Sequence, residues 1–446
     1  MGKQLSEWIG WFAEQVWGVP LMILLVGTHL FLTVRTGFMQ KWVWKGIRLS
    51  LRRDEGAGDV SQFGALMTAL AATIGTGNII GVATAITMGG PGAVLWMWLT
   101  GVFGIATKYG EAILAVKYRV QNARGEMCGG PMYVLERGLK AKWAGCLFAV
   151  LTAVAGFGIG NMNQSNALVT QAVGWLPGVN SQYLAVGMGL GLAALTAVVI
   201  LGGVKSISRA CSALVPSMAI LYVVGCAAIL IKNAALLPDT FKVIFEGAFN
   251  FKSLAGGFAG SALAATMRAG ISRGLFSNEA GLGSAPIVAA AAKTKNPMRQ
   301  ALVSSTGTFW DTVVVCAMTG LVLVSSGHWK EGLENTALTQ AAFAELHEIG
   351  PVVLLIASAT FVFSTIIGWC YYGEKAVEYL FGLKAVLPYR LLWVAFVFVG
   401  AVSKLTDVWA FSDAANGLMA VPNLVALLLL SGVIARETRE HAGDLD

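Results

Sequence analysis

The stretch ATIGTGNIIG, Ala72 to Gly81, sets three glycines, two threonines and an asparagine inside an apolar run from Phe63 to Met88. Glycine loosens a helix, and an unwound turn surrounded by hydrocarbon leaves backbone N–H and C=O groups that lipid cannot satisfy. Such a turn is tolerated where it lines a cavity, with half-helix N–H groups facing an anion and freed carbonyls facing a cation. The stretch therefore points to a carboxylate and ion site made of backbone. The competing reading is a close-packing seam of small residues. A nucleotide cradle fits poorly, because the third glycine of Gly75, Gly77 and Gly81 comes one position late for G-x-G-x-x-G. No Asp or Glu occurs between Asp59 and Glu111 either.

A second unusual segment, FAGSALAATMRAGISRGLFSNEAGLGSAP, runs from Phe258 to Pro286. It is too long for one straight span and carries Arg268, Arg273 and Glu279 near membrane depth. Intramembrane charges usually pair, so Glu279 is expected to meet Arg273 or Arg268. Asp311, and Glu111 with Lys108, are read as structural pairs, and His29 as a satisfied polar group. The pentapeptide Ala69–Thr73 recurs as Ala262–Thr266, each followed four residues on by a glycine, Gly77 and Gly270.

The elements that must position these residues follow from composition. The chain is 56% hydrophobic and 12% charged, with mean hydropathy +0.69. Soluble domains carry about 25% charged residues, which places this chain in a lipid bilayer. Eleven apolar runs are long enough to cross a hydrocarbon core of about 30 Å as helices. They lie near 13–34, 62–88, 92–116, 143–173, 182–203, 211–231, 250–291, 301–326, 350–372, 388–403 and 409–434. Lys and Arg crowd alternate connections: Lys41, Lys45, Arg48 and Arg52 in the first, Lys117, Arg119 and Arg124 after the third. By the positive-inside rule the N-terminus lies outside and the C-terminus in the cytoplasm of a plasma membrane. The net charge of +7 is then a topology signal and not a nucleic-acid patch. The six cysteines show neither metal spacing nor a disulfide pattern. No H-E-x-x-H, G-x-S-x-G or Walker A motif supports an enzyme.

The two interrupted segments open the second and seventh runs, five spans apart. Five is odd, so two five-helix units, 60–232 and 250–434, cross the membrane in opposite directions. They flank a 233–249 connection, after an extra helix and basic loop at 1–59 and before a tail at 435–446. Gly-interrupted segments at corresponding positions are the pointer to an inverted-repeat transporter with its substrate between them.

GGPGAVLWMWLTGVFG (Gly89 to Gly104), SRGLFSNEAGLGSAP (Ser272 to Pro286), GTGNIIGVA, GNMNQSNA (Gly160 to Ala167) and GGPMYVLERGL (Gly129 to Leu139) resemble the alanine or glycine:cation symporter family over nearly the whole chain. Leu95, where Phe is expected before Trp-Met-Trp, is a conservative departure. The resemblance implies the leucine-transporter fold with one extra N-terminal helix, and inward symport of small neutral amino acids such as alanine or glycine with Na⁺. It implies that the Thr76 and Gly77 amides meet the substrate carboxylate, with Asn78 bracing the break or approaching an ion. FVFSTIIGW would supply the Ser364 and Thr365 hydroxyls to Na⁺, beside carbonyls of Ala71, Ile74 and Phe361. Gln164 would bond the substrate or else bridge helices. Phe276 and Trp369 would wall the side-chain pocket or else be ordinary core, and Asn278 would sit at the second break. A proton-coupled permease of the same fold is the alternative, and the Ser364–Thr365 pair is what favours sodium.

Overall fold

The computed structural model describes residues 2–52, 56–176, 179–249, 259–403 and 406–445. It is a helical membrane bundle with one short hairpin. Among the described residues nine helices are long and apolar enough to span, or ten if one bent pair counts as a single span. They are α1 (Glu7–Arg35), the bent pair α2 (Gln62–Thr73) and α3 (Gly77–Gly89), α4 (Ala93–Lys117), α5 (Lys142–Trp175), α6 (Ser181–Ile200) and α7 (Gly203–Lys232). After α8 (Ala259–Asn278) come α9 (Pro297–Ser325), α10 (Ile349–Phe381), α11 (Leu383–Val402) and α12 (Thr406–Leu429). The seventh expected span is where the count of eleven and this set part: α8 is not among the spans, and residues 250–258 of that run lie outside the described residues.

Local chemistry sets the helix starts. Ser61 Oγ accepts from the Gly64 amide at 3.0 Å to open α2, and Asn296 Oδ1 accepts from Arg299 N at 3.0 Å ahead of Pro297 to open α9. Both satisfy amides that a first turn leaves unpaired. Burial sorts the bundle: the most apolar window of α4 is 83% buried in protein, whereas that of α6 is 28% buried. Leu190, Leu195 and Val198 of α6 accordingly face outward. α4 packs against α8 and α9, and α10 against α2, α5 and α7, so the two broken regions meet at the centre.

Two features lay beyond the sequence reading. A hairpin of β1 (Val120–Gln121) and β2 (Met127–Cys128) follows α4. The repeated pentapeptide is not a structural repeat. Ala69–Thr73 ends α2 directly before the first break, whereas Ala262–Thr266 lies in α8 with twelve residues of helix or more still to come before the second. Gly270 is a packing glycine, where an added Cβ would lie 2.2 Å from the Ala93 carbonyl oxygen.

Candidate substrate and ion site

The first break begins at Ile74, whose backbone turns extended (φ −76°, ψ 93°), and α2 and α3 meet there at 55°. Two amides inside it are held by side-chain amide oxygens. Gly75 N–H donates to Asn78 Oδ1 at 2.9 Å, and Thr76 N–H donates to Gln164 Oε1 at 3.3 Å. Gln164 is oriented in turn by donating Nε2 to the Ile159 carbonyl at 3.0 Å. Asn78 Nδ2 donates to Asp311 Oδ1 at 2.7 Å, and Asp311 Oδ2 accepts from Ser277 at 2.9 Å and from Thr312 at 2.7 Å. Asn78 thus braces the break against α9 and the end of α8. The turns carrying these groups, Gly77–Gly81, Gly158–Met162 and Phe309–Cys316, are all wide π-type turns, a distortion that gathers at functional sites.

Above the break lies a cavity of about 350 Å³ lined by Thr76, Gly77, Phe276 and Asn166, reaching Asn335 and Thr336 between α9 and α10. Its wall carries Arg273 and Asp413, paired at 3.7 Å, with the guanidinium 5.9 Å from the centre of the Phe276 ring. An adjoining cavity of about 560 Å³ shares Arg273, Phe276 and Asp413 and continues toward Glu14, Trp17 and Arg268. A separate crevice of about 540 Å³ among α1, α4 and α8 is almost wholly apolar and shares no lining residue with the cavity at the first break.

On the other side of the first break, Thr365 Oγ1 of α10 lies 3.4 Å from the Ile74 carbonyl oxygen, and Ser364 Oγ donates to the Phe361 carbonyl at 2.9 Å. Ala71, in the last turn of α2, is fully buried. Of the expected sodium set, Thr365 and Ile74 are thus brought together across the two helices, and the oxygens of the set are all neutral. Neutral and carboxylate oxygens are what hard cations take. Among the described residues no group of three or more His, Cys, Asp or Glu could hold a metal ion.

The second break follows α8. Glu279, Gly281 and Gly283 have φ of 55°, 90° and 84° before a short helix at Pro286–Ala289. Asn278 Oδ1 accepts from Ala280 N at 2.9 Å, so it caps this break and does not line the cavity. Glu279 accepts from Ser284 and does not pair with either arginine: Arg273 meets Asp413, and Arg268 donates to the Glu14 carbonyl at 2.7 Å. Trp369 is 1% exposed and packs on Gly160, where an added Cβ would lie 2.2 Å from its own, and on Tyr372. It sits away from the cavity, next to Glu279. Thr76, Gly77, Asn78, Gln164 and Phe276 are thus brought together at the first break, while Asn278 and Trp369 belong to the second. Asp311 is the residue that the sequence reading set aside. A buried carboxylate at the third position of a wide turn gave no periodic signal of its partners in α3 and α8.

The opposite mouth is clasped shut. Arg119 donates to the carbonyls of Ala290 (3.0 Å), Ala292 (2.9 Å) and Ala57 (2.9 Å), and Lys293 N–H donates to Val60 O at 2.8 Å. Lys375 pairs with Glu378 at 2.8 Å and with Glu126 at 3.3 Å across the hairpin. Burial pushes the Cys128 thiol in this clasp up to about 12.

Broken helices that meet at a polar cavity, inside a bundle of membrane spans, define a secondary transporter. A solved Na⁺-coupled sialic acid symporter in a substrate-bound outward-open state shares this fold, with a TM-score of 0.50 at 12% identity over 94% of this chain and 98% of that one. The chain belongs to the sodium:alanine symporter family, whose model matches residues 2–445. It is 50% identical over 95% of its length to the sodium/alanine symporter AgcS of Methanococcus maripaludis, covering 94% of that protein. It is 37% identical over 99% of its length to a probable sodium/glutamine symporter, GlnT, of Bacillus subtilis, covering 91% of that protein. It is accordingly a multi-pass membrane transporter and not an enzyme.

Proposed function

We propose that the protein takes up alanine, and with it glycine and other small neutral amino acids, by Na⁺-coupled symport with alternating access. The observation that carries this reading is the first break: two amides held only by neutral amide oxygens, next to a cavity on one side and a hydroxyl-flanked carbonyl on the other. An arriving carboxylate replaces the Gln164 oxygen at Thr76 N–H with a charged acceptor, and charge-assisted hydrogen bonds are roughly twice as strong as neutral ones. The Gly77 amide lies on the same lip. Gln164, once displaced, turns to the substrate's polar groups, and Phe276 limits the side chain that fits. Na⁺ is held by the carbonyls of Ala71, Ile74 and Phe361 with the hydroxyls of Ser364 and Thr365. Because Ile74 belongs to the break itself, the ion steadies the conformation that presents the amides, which is the coupling. Trp369 and Asn278 act from the second break, shaping the floor on which the first rests.

The two breaks support division into opposed five-helix units at 60–232 and 250–434 after an extra N-terminal segment, 1–59. The positive-charge bias supports an outside N-terminus and a cytoplasmic C-terminus, which makes the cavity side extracellular and the Arg119 clasp cytoplasmic. Uptake of labelled alanine into proteoliposomes, with Na⁺ and H⁺ gradients imposed separately, tests the assignment. Accumulation driven by Na⁺ alone is the expected result, and full uptake on a proton gradient with no effect of Na⁺ would sink it.

A further inference from the structure

The second break already holds a carboxyl group, and the chain itself supplies it. Glu111 Oε1, from α4, accepts from Gly281 N at 3.1 Å, from Gly283 N at 3.0 Å and from Asn423 Nδ2 at 2.7 Å. Asn423, from α12, also donates to the Gly281 carbonyl at 2.9 Å, so both backbone polar groups of Gly281 are fastened. Gly281 and Gly283 are left-handed, at φ 90° and 84°. Neighbouring amides in such turns converge into an anion-binding concavity. Glu111 is 3% exposed, and a buried carboxylate is tolerated only with donors or a counter-charge. Both are present. Lys108, one turn earlier on α4, acts electrostatically on Glu111 and also on Glu279 and Asp311. Among the described residues, Tyr372 of α10 and His29 of α1 are further titratable neighbours; His29 Nδ1 is 2.7 Å from Thr107 Oγ1, and its Cε1 would stand 3.7 Å from a Cβ at Gly281.

We propose that Glu111 is a positioning residue that serves as a built-in anion. It occupies at the second break the place that a substrate carboxylate takes at the first. Two consequences follow: the unwound turn is held open by charge and not by shape alone, and the amino acid finds displaceable amides at the first break only. The inference goes beyond the transport reading and does not need alanine as the substrate.

The test is chemical rescue of the full-length protein in detergent and in proteoliposomes. Glu111→Ala leaves a cavity and two unpaired amides. Its melting midpoint should fall, and formate should raise it again, while formamide, which matches formate in shape and lacks its charge, should not; neither should move the midpoint of the unsubstituted protein. In uptake assays the same variant should lose turnover by roughly tenfold or more while KM for alanine changes less than about threefold, because a charge-assisted contact has been removed from a site that does not bind substrate. Glu111→Gln keeps the shape and an acceptor oxygen without the charge, so it carries the test for a protein that tolerates no cavity here. It should show the same split between turnover and KM. Turnover of Glu111→Gln equal to that of the unsubstituted protein, a midpoint of Glu111→Ala that formate fails to raise, or equal rescue by formamide would each overturn the proposal. If the unsubstituted protein moves no alanine, the transport reading falls and the formate shift still decides this one.

Discussion

The two broken helices use one backbone device with different occupants. At the first break the amides of Gly75 and Thr76 rest on the neutral side-chain oxygens of Asn78 and Gln164, the latter at 3.3 Å, and a cavity reaches Thr76 and Gly77. At the second, the amides of Gly281 and Gly283 share one carboxylate oxygen of Glu111, with Lys108 as counter-charge. A neutral acceptor is exchangeable for a ligand carboxylate, whereas displacing a buried carboxylate leaves it without donors, at a cost of several kcal/mol. The difference teaches that unwinding alone does not make a binding site. What matters is how strongly the freed groups are already held.

The sharpest way to break this comparison is to add one methyl to each break. Gly75→Ala places a Cβ 2.5 Å from Thr365 Oγ1 and 3.3 Å from Gln164 Oε1, where substrate and ion contacts meet. It should abolish Na⁺-driven uptake while the protein still elutes as a single species in detergent. Gly77→Ala meets Phe276 at 3.3 Å and should reduce uptake less, since a ring can shift by a few tenths of an ångström. Equal, near-normal transport by both variants would reduce the first break to a packing seam.

Gly281→Ala forces a side chain to φ 90° within 3.0 Å of Leu25 and Leu424, so it should lower stability by about 1–3 kcal/mol, seen as a lower melting midpoint. A midpoint shift for Gly75→Ala as large as that for Gly281→Ala would erase the distinction between a ligand-held and a self-held break.

Removing both hydroxyls, Ser364→Ala with Thr365→Ala, should raise the Na⁺ concentration for half-maximal uptake by about tenfold, or ~1.4 kcal/mol. Alanine affinity at saturating Na⁺ should change far less. A Na⁺ dependence left intact would move the ion elsewhere. Phe276→Ala should widen the range to larger neutral side chains by a modest factor, on the order of the 10–200-fold that a missing methylene or two controls in a pocket. An unaltered range would return Phe276 to the core.

The smallest expected effect is at the clasp. A thiol with its pKa near 12 is almost wholly protonated at neutral pH, so Cys128 should resist maleimide below about pH 9 while the clasp is shut. Its labelling should rise in Na⁺ plus alanine as the mouth opens. Fast labelling in the absence of both would mean that the clasp is not the closed gate.

Much of this was legible in the chain. Mean hydropathy and run length require a helical bundle in lipid, because only intrasegment hydrogen bonds survive there. The glycines of ATIGTGNIIG mark the first break, since a helix with three glycines in seven residues propagates poorly. The long Phe258–Pro286 segment marks the second, because it cannot fit one straight span. The contact of Thr365 with the Ile74 carbonyl also follows the expected pairing of α2 with α10. The pentapeptide repeat misled, since Ala-Leu-Ala-Ala-Thr is good helix sequence anywhere and carries no information about where a helix stops.

What the sequence by itself determined is therefore the set of elements and the places where they fail as helices, for these depend on hydropathy, length and local backbone freedom. Only the tertiary structure decided which groups answer each failure. Gln164 reaches Thr76 across 88 positions of chain and Glu111 reaches Gly281 across 170, and Arg273 pairs with Asp413 and not with Glu279 nearby in sequence. Such partners are chosen by helix packing, where a buried donor takes whichever acceptor the bundle brings within 3 Å or so, and no local spacing encodes that choice.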